Sequence, residues 1–334
     1  MKDKIIIIAE AGVNHNGSLQ NALRLVDAAA DAGADYVKFQ TFNAESLVTR
    51  AAAKAEYQKQ NTGGEDSQLE MLKKLELSAD DHHKIMEHCR RRCIRFLSTA
   101  FDLESVEMLH NLRLDLWKIP SGEITNYPYL RKIAGYNETV VMSTGMCSVE
   151  DIRMAMKALV DNGQDPEKVT LLHCNTQYPT PMEDVNLRAM SSLRELSPNV
   201  GYSDHTVGIE IPMAAAALGA KVIEKHFTLS RDMQGPDHKA SLEPDELKAM
   251  VNAIRNIEKA LGDGEKKVSP SESANREIAR KSIVASCHIS RGEMLTEKNM
   301  TAKRPGTGIS PMRWLEVEGK VAGRDYEPDE QIEL

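Results

Sequence analysis

Two histidines and two lysines hold most of the chemistry this sequence can offer. His205 lies in the string SDHT and His226 in EKHFT, each at the end of a strand-like apolar run. Neighbouring parallel strands stand about 4.8 Å apart, so two imidazoles at corresponding ends can share one divalent ion. With carboxylate and water ligands, such a mixed nitrogen and oxygen site suits Mn²⁺, Fe²⁺ or Co²⁺ better than a closed structural zinc site would. The competing reading is a pair of hydrogen-bonded core histidines.

Lys38, in VKFQT, shares a strand face with Gln40, and Lys118 sits among polar groups in WKIPSGE. A lysine inside a core must be paired or deprotonated. That leaves a clamp for phosphate and carboxylate, a Schiff-base nucleophile of the lysine-dependent aldolase kind, or a plain structural ion pair. Hydroxyls at Thr99, Ser121, Ser143 and Thr144 favour the clamp, since phosphate oxygens accept several hydrogen bonds at once. Glu10, Glu123, Glu224 and Asp237 supply acid–base capacity or ligands, with Glu224 best suited to serve a lysine structurally. Asp237 and His238 ride a Gly–Pro turn in GPDHKAS, a loop form that often carries function. His82, His83 and His88 fall in a charged helical stretch and read as a solvated face.

The elements that must position these groups recur eight times. Strand-like runs at 5–10, 36–40, 94–99, 116–121, 139–144, 169–174, 199–204 and 221–227 alternate with helical stretches, including 18–32, 80–92, 149–162 and 245–261. Alternation of this kind predicts a parallel sheet, and eight units predict an α/β fold, the (β/α)8 TIM barrel. In that fold the chemistry sits where strands end and loops begin, which is where the polar residues cluster. The polar segment 42–77 is long for a βα loop and reads as a lid or rim. The barrel spans 1–262, a polar linker 263–277, and a small β-rich domain 278–334.

The remaining composition narrows the field. A net charge of −8 argues against nucleic-acid or acidic-membrane partners, and an aromatic content of 4% offers no base-stacking platform. No apolar run has membrane-spanning length, and the one at the N-terminus is too short for a signal peptide. Five cysteines, odd in number and without CxxC spacing, suit a reduced cytoplasmic compartment.

The strings AEAGVNHNG (9–17), KFQTF (38–42), KIPSGEITNYPYL (118–130), STGM (143–146), HCNTQYPTPMEDVNL (173–187), GYSDHT (201–206), EKHFTL (224–229) and GPDHKAS (235–241) together resemble the sialic acid synthase family. The tail KRPGTGISP (303–311) resembles that family's antifreeze-like (SAF, β-clip) domain. The middle loop, AEYQKQNTG (55–63), and the tail look closest to bacterial N-acetylneuraminate synthases.

The resemblance implies condensation of phosphoenolpyruvate with N-acetylmannosamine and water, giving N-acetylneuraminate and phosphate. The alternative is a legionaminic or pseudaminic acid synthase using a 2,4-diacetamido-2,4,6-trideoxyhexose, and a metal-independent Schiff-base aldolase is a more distant one. It implies a divalent metal on His205 and His226, Mn²⁺ first and Mg²⁺ or Co²⁺ as substitutes. Phosphoenolpyruvate contacts fall to Lys38, Thr99, Lys118, Ser121, Ser143, Asn175, Thr176 and Tyr178. Some members have asparagine where this chain has Thr176, preceded by Asn175, so either side chain can be the phosphate contact. Sugar contacts fall to Gln40, Tyr178, Asp237 and, from the lid, Asn61. Glu10 and Glu123 are the implied catalytic carboxylates. Arg304 would reach into the barrel of a partner subunit in a domain-swapped homodimer and contact the sugar there.

Overall fold

The computed structural model describes residues 4–54, 56–62 and 67–334. It divides into two compact units, Met1–Gly262 and Asp263–Leu334.

In the first unit, β1 (Ile6–Gly12), β2 (Tyr36–Thr41), β3 (Arg95–Ala100), β4 (Trp117–Ile119), β5 (Val140–Ser143), β6 (Val169–His173), β7 (Val200–Asp204) and β8 (Val222–His226) form one parallel sheet. Its hydrogen-bonded order is β3-β2-β1-β8-β7-β6-β5-β4, and β3 and β4 also lie side by side, which closes the barrel. At that seam the Tyr129 hydroxyl donates to the Ala100 carbonyl at 2.8 Å, spanning from the helix after β4 to the end of β3.

Local signals explain the intervening helices. Ser18 caps Leu19–Ala32, and Gly33, at φ 82°, ends it in a left-handed turn that side chains disfavour. Ser78 with Asp81 and Ser148 with Asp151 form reciprocal capping boxes for Ala79–Arg91 and Val149–Asp161. Each helix turns an apolar face, such as Leu25, Val26 and Ala29, onto the outside of the barrel.

Period-two alternation then sorts the strand side chains. Glu10, Lys38, Gln40, Thr99, Lys118, Ser143, Ser203, Glu224 and His226 have the same parity in their strands and line one cavity. The intervening residues face the helices. Among its described residues, the segment 42–77 holds three short helices, Ala44–Leu47, Glu56–Thr62 and Gln68–Lys73. Phe42, Ala44, Met71, Leu72 and Leu75 pack with Val13 into a small core of their own.

In the second unit, β9 (Ser282–Ala285) pairs antiparallel with β10 (Met300–Lys303) over a core that includes Ile283, Ile289, Leu295, Val317 and Tyr326. The segment read as a linker carries a helix, Pro270–Ala279. Pro270 occupies the first turn, and Ser269 and Glu272 make a capping box. Polar composition hid that start signal, because the helix buries none of its residues.

Candidate active site

The floor of the barrel mouth is built from two lysines bridged by one carboxylate. Lys38 Nζ stands 2.9 Å from Glu10 Oε2 and 3.5 Å from Glu224 Oε2, and donates to Thr99 Oγ1 at 3.0 Å. Lys118 Nζ stands 3.5 Å from Glu224 Oε1 and donates to Ser143 Oγ at 2.8 Å. Ser203 Oγ donates to Glu224 Oε1 at 2.9 Å. All four charged groups are at most 3% exposed, so their mutual charges decide their protonation.

Burial pushes Glu224 upward, but Lys118 and Lys38 outweigh it and hold its pKa at about 2. Burial pushes Glu10 up to about 7, against Lys38 and with help from Glu224. Burial lowers Lys118, with only Glu224 close enough to offset it strongly. Lys38 ends above its ordinary value, because Glu10 and Glu224 outweigh its burial. Lys118 is therefore the less compensated cation. Around it lies a cavity of about 180 Å³ whose wall includes Thr99, Ser121, Ser143, Cys174 and Thr176.

Two neutral imidazoles stand above this floor, His205 and His226, with ring centroids 5.3 Å apart. His205 Nδ1 is hydrogen-bonded to the Asn175 carbonyl, which can only accept, so Nδ1 carries the proton. Its Nε2 faces the Tyr178 hydroxyl at 3.0 Å. His226 Nδ1 is buried with no hydrogen-bond partner among the described residues. Burial lowers His205 to about 4 and takes His226 well below its ordinary value, with His205 adding to the shift.

These residues fit a divalent ion, because both rings are in the neutral, ligating form and one buried nitrogen is unsatisfied. Backbone geometry draws more donors to the same spot. A side chain at Gly12 would begin 3.3 Å from Glu10 Oε1, 3.4 Å from Gln40 Nε2 and 3.7 Å from His226 Cε1. Among the described residues no three His, Cys, Asp or Glu groups stand ready as a metal cluster. Two imidazoles would thus hold the ion and leave its other positions to water or substrate.

An outer cavity of about 360 Å³ continues upward, sharing Gln40, Phe101, Gly122, Tyr178 and His226 with the inner one. Asp237 lines it; burial alone raises this carboxyl to about 6, and its side chain has no hydrogen-bond partner among the described residues. Glu123 also lines the outer cavity, half-buried, accepting from Asn126 Nδ2 at 2.6 Å. The two carboxylates singled out as catalytic thus occupy different chambers, Glu10 the inner and Glu123 the outer.

The structure sorts the other site residues. Thr176 lines the inner cavity, whereas Asn175 Oδ1 is turned away to accept from Gln177 N at 2.7 Å. Ser121 Oγ accepts from Gly145 N at 2.9 Å. Asn61 Nδ2 donates to the Pro236 carbonyl at 2.7 Å, tying the lid to the loop that carries Asp237. Arg304 lies in the second unit and is exposed.

His82 contradicts its reading as a solvated group. It is fully buried, with Nε2 2.7 Å from Thr41 Oγ1 and Nδ1 2.8 Å from the Ser78 carbonyl, because its helix turns that face onto β2. Asp204 and Thr144, polar at strand ends, do not join the site. Thr144 Oγ1 donates to the Leu172 carbonyl, and Asp204 pairs with fully buried Lys225, a residue the sequence reading passed over. Strand parity carried that signal, since both alternate with inward-facing neighbours. His238 is also structural, wedged between Thr228 Oγ1 and Asn16 Oδ1.

Fold and site together define a class, the (β/α)8-barrel enzymes that work at the carboxyl ends of their strands. The chain belongs to the NeuB family: the family model matches residues 25–266, and the SAF domain model matches residues 280–333. It is similar to the N,N′-diacetyllegionaminic acid synthase of Campylobacter jejuni, 54% identical over 330 residues, covering 98% of this chain and 99% of the relative. The protein of the same name from Legionella pneumophila is 47% identical over 317 residues, covering 94% and 89%. Among solved structures, the N-acetylneuraminic acid (sialic acid) synthetase of Leptospira borgpetersenii, in complex with citrate, matches with a TM-score of 0.71 at 34% identity, over 81% of this chain and 90% of that one. The protein is thus an enzyme of the nonulosonic acid synthases. These identities favour the diacetamido alternative over N-acetylneuraminate as the product.

Proposed function

We propose that the protein condenses phosphoenolpyruvate with a 2,4-diacetamido-2,4,6-trideoxyhexose and water, giving N,N′-diacetyllegionaminic acid and phosphate. The observation that carries this reading is the end-to-end 54% identity to a synthase named for that product. The inner cavity suits phosphoenolpyruvate. Lys118 and Lys38 would face its anionic groups, while Thr99, Ser121, Ser143 and Thr176 offer hydroxyls to phosphate and carboxylate oxygens.

A divalent ion, for which we take Mn²⁺, would be held by His205 and His226 and when bound would polarise the open-chain aldehyde of the acceptor. Gln40, Tyr178 and Asp237 would orient that acceptor at the boundary of the two chambers. The enol methylene carbon bonds to the aldehyde carbon, and water adds at the cationic enol carbon. The tetrahedral intermediate then collapses and phosphate leaves. Glu10, beside Lys38 and raised to about 7, would in its ionised form stabilise that cation, or direct the water. Glu123 would serve the acceptor in the outer chamber. The working unit in this proposal is a homodimer in which Arg304 of each chain completes its partner's site, and the compartment is the cytoplasm.

The test is phosphate release from phosphoenolpyruvate with the diacetamido sugar and with N-acetylmannosamine, each with and without Mn²⁺. Release that favours the diacetamido sugar and depends on the ion supports the proposal. Preference for N-acetylmannosamine would return the protein to the N-acetylneuraminate reading.

A further inference from the structure

The outer chamber has two unlike walls. One is polar, made by Gln40, Glu123 and Asp237, and it adjoins the histidines. The other comes from the lid and the end of β3: Phe42, Leu47, Val48, Met71, Leu72 and Phe101. Among the described residues this second wall is mostly apolar, although the lid's Gln58 and Gln68 also line the chamber, and its apolar side chains belong to or pack against the small lid core. A hydroxyl set against those carbon side chains loses its water without gaining a partner from them, which disfavours binding.

We propose that this lid wall is the specificity determinant of the site, selecting an acceptor whose end remote from the aldehyde is a deoxy methyl group flanked by an acetamido methyl. The inference rests on the condensation reading above and deepens it. The aldehyde carbon must approach the inner chamber, and the side chains common to both chambers, Gln40, Tyr178 and His226, mark that passage. The acceptor's far end then lies toward the lid. A methyl group there meets carbon, while a hydroxymethyl group loses its water without gaining a partner. Pockets of this kind discriminate by about 10- to 100-fold, which sets the scale of the expected preference.

Leu47 and Val48 are half-buried and make no part of the catalytic floor, so they can be changed without opening the barrel core. The experiment uses the full chain with Mn²⁺ and compares kcat/KM for the 6-deoxy diacetamido sugar with that for N-acetylmannosamine. The wild-type ratio should favour the deoxy sugar. In Leu47→Asn the ratio should fall by about 10-fold, and in the near-isosteric Val48→Thr by about 3-fold, with KM for phosphoenolpyruvate unchanged in both. Should Leu47→Asn fail to fold, Val48→Thr decides alone. An unchanged ratio in a folded, active Val48→Thr variant overturns the wall as determinant while leaving the condensation reading intact. No phosphate release with either sugar in the wild type overturns both.

Discussion

The Tyr178 hydroxyl sits 3.0 Å from His205 Nε2, on the side of the ring opposite the bond from Nδ1 to the Asn175 carbonyl. One loop, following β6, thus supplies both partners of an imidazole that follows β7. The carbonyl fixes the tautomer, and the phenol covers the lone pair that a ligand would use. Tyr178 also stands edge-on to His226, with ring centroids 5.3 Å apart. Tyr178 thus borders both histidines and lines both chambers.

That arrangement gives the first expectation. His226→Ala should keep the fold and bind Mn²⁺ at well under one equivalent, measured by calorimetry on the purified chain. Tyr178→Phe removes a competitor for His205 Nε2 and should bind Mn²⁺ at least as tightly as the wild type. Exhaustive chelation should abolish turnover. Equal Mn²⁺ binding by wild type and His226→Ala would defeat the assignment of the ion to this pair.

The second concerns the floor. Lys118→Met keeps length and removes the less compensated cation, so phosphoenolpyruvate loses a charge-assisted partner worth roughly 1.5–3 kcal/mol. Its KM should rise by about 10- to 100-fold, at about 1.4 kcal/mol per decade. KM for the sugar should change far less. Equal losses for both substrates, with a lowered urea midpoint, would make Lys118 a structural partner of Glu224.

Strand parity explains how much could be read beforehand. Eight polar strand ends were legible because inward groups such as Lys38 and Gln40, or Glu224 and His226, repeat at spacing two. What parity alone could not separate was depth. Glu10 and Glu123 read alike as acidic groups at strand ends, yet one lies beneath the histidines and the other in the outer chamber. His82 was misread because its helix looks charged throughout, and only packing against Thr41 shows which face is dry. The apolar lid wall was hidden for the same reason, since the segment 42–77 is polar on average.

Asp237 yields a pH signature whose sign is fixed by burial. Its carboxyl is raised from 3.8 to about 6, so the folded state holds a proton that the unfolded state releases near 4. Its contribution to stability is intact below about 4 and is lost as pH rises through 6. A shift of about two units corresponds to about 3 kcal/mol at most. Asp237→Asn should therefore raise the urea stability of the ligand-free enzyme at pH 8 and leave it unchanged near pH 3.5. The same ionisation turns Asp237 into a charged group that only accepts, and more strongly, from sugar hydroxyls, so the wild-type KM for the sugar should fall as pH rises through about 6. That dependence should vanish in the variant. A variant less stable at pH 8 would contradict this account.

The last expectation tests whether the active site is completed across a subunit boundary. Arg304 is exposed, and within the second unit it makes no ion pair among the described residues, whereas its neighbour Lys303 is paired with Asp329. A guanidinium left unpaired at a surface turn can donate to oxygens brought from elsewhere, and the resemblance implies that those oxygens belong to the sugar in the partner's barrel. An Arg304→Ala chain and a His226→Ala chain should each be nearly inactive alone. Mixed under conditions that allow subunit exchange, they form dimers in which one site carries both defects and the other carries none. With Arg304 acting on the partner's site, activity should return to about a quarter of the wild-type value for statistical mixing, since half the dimers are mixed and half their sites are intact. With Arg304 acting on its own chain's site, every site keeps one defect and the mixture stays as inactive as its parents. Sedimentation must show a dimer under the same conditions, and a fully active monomer would refute the proposal outright.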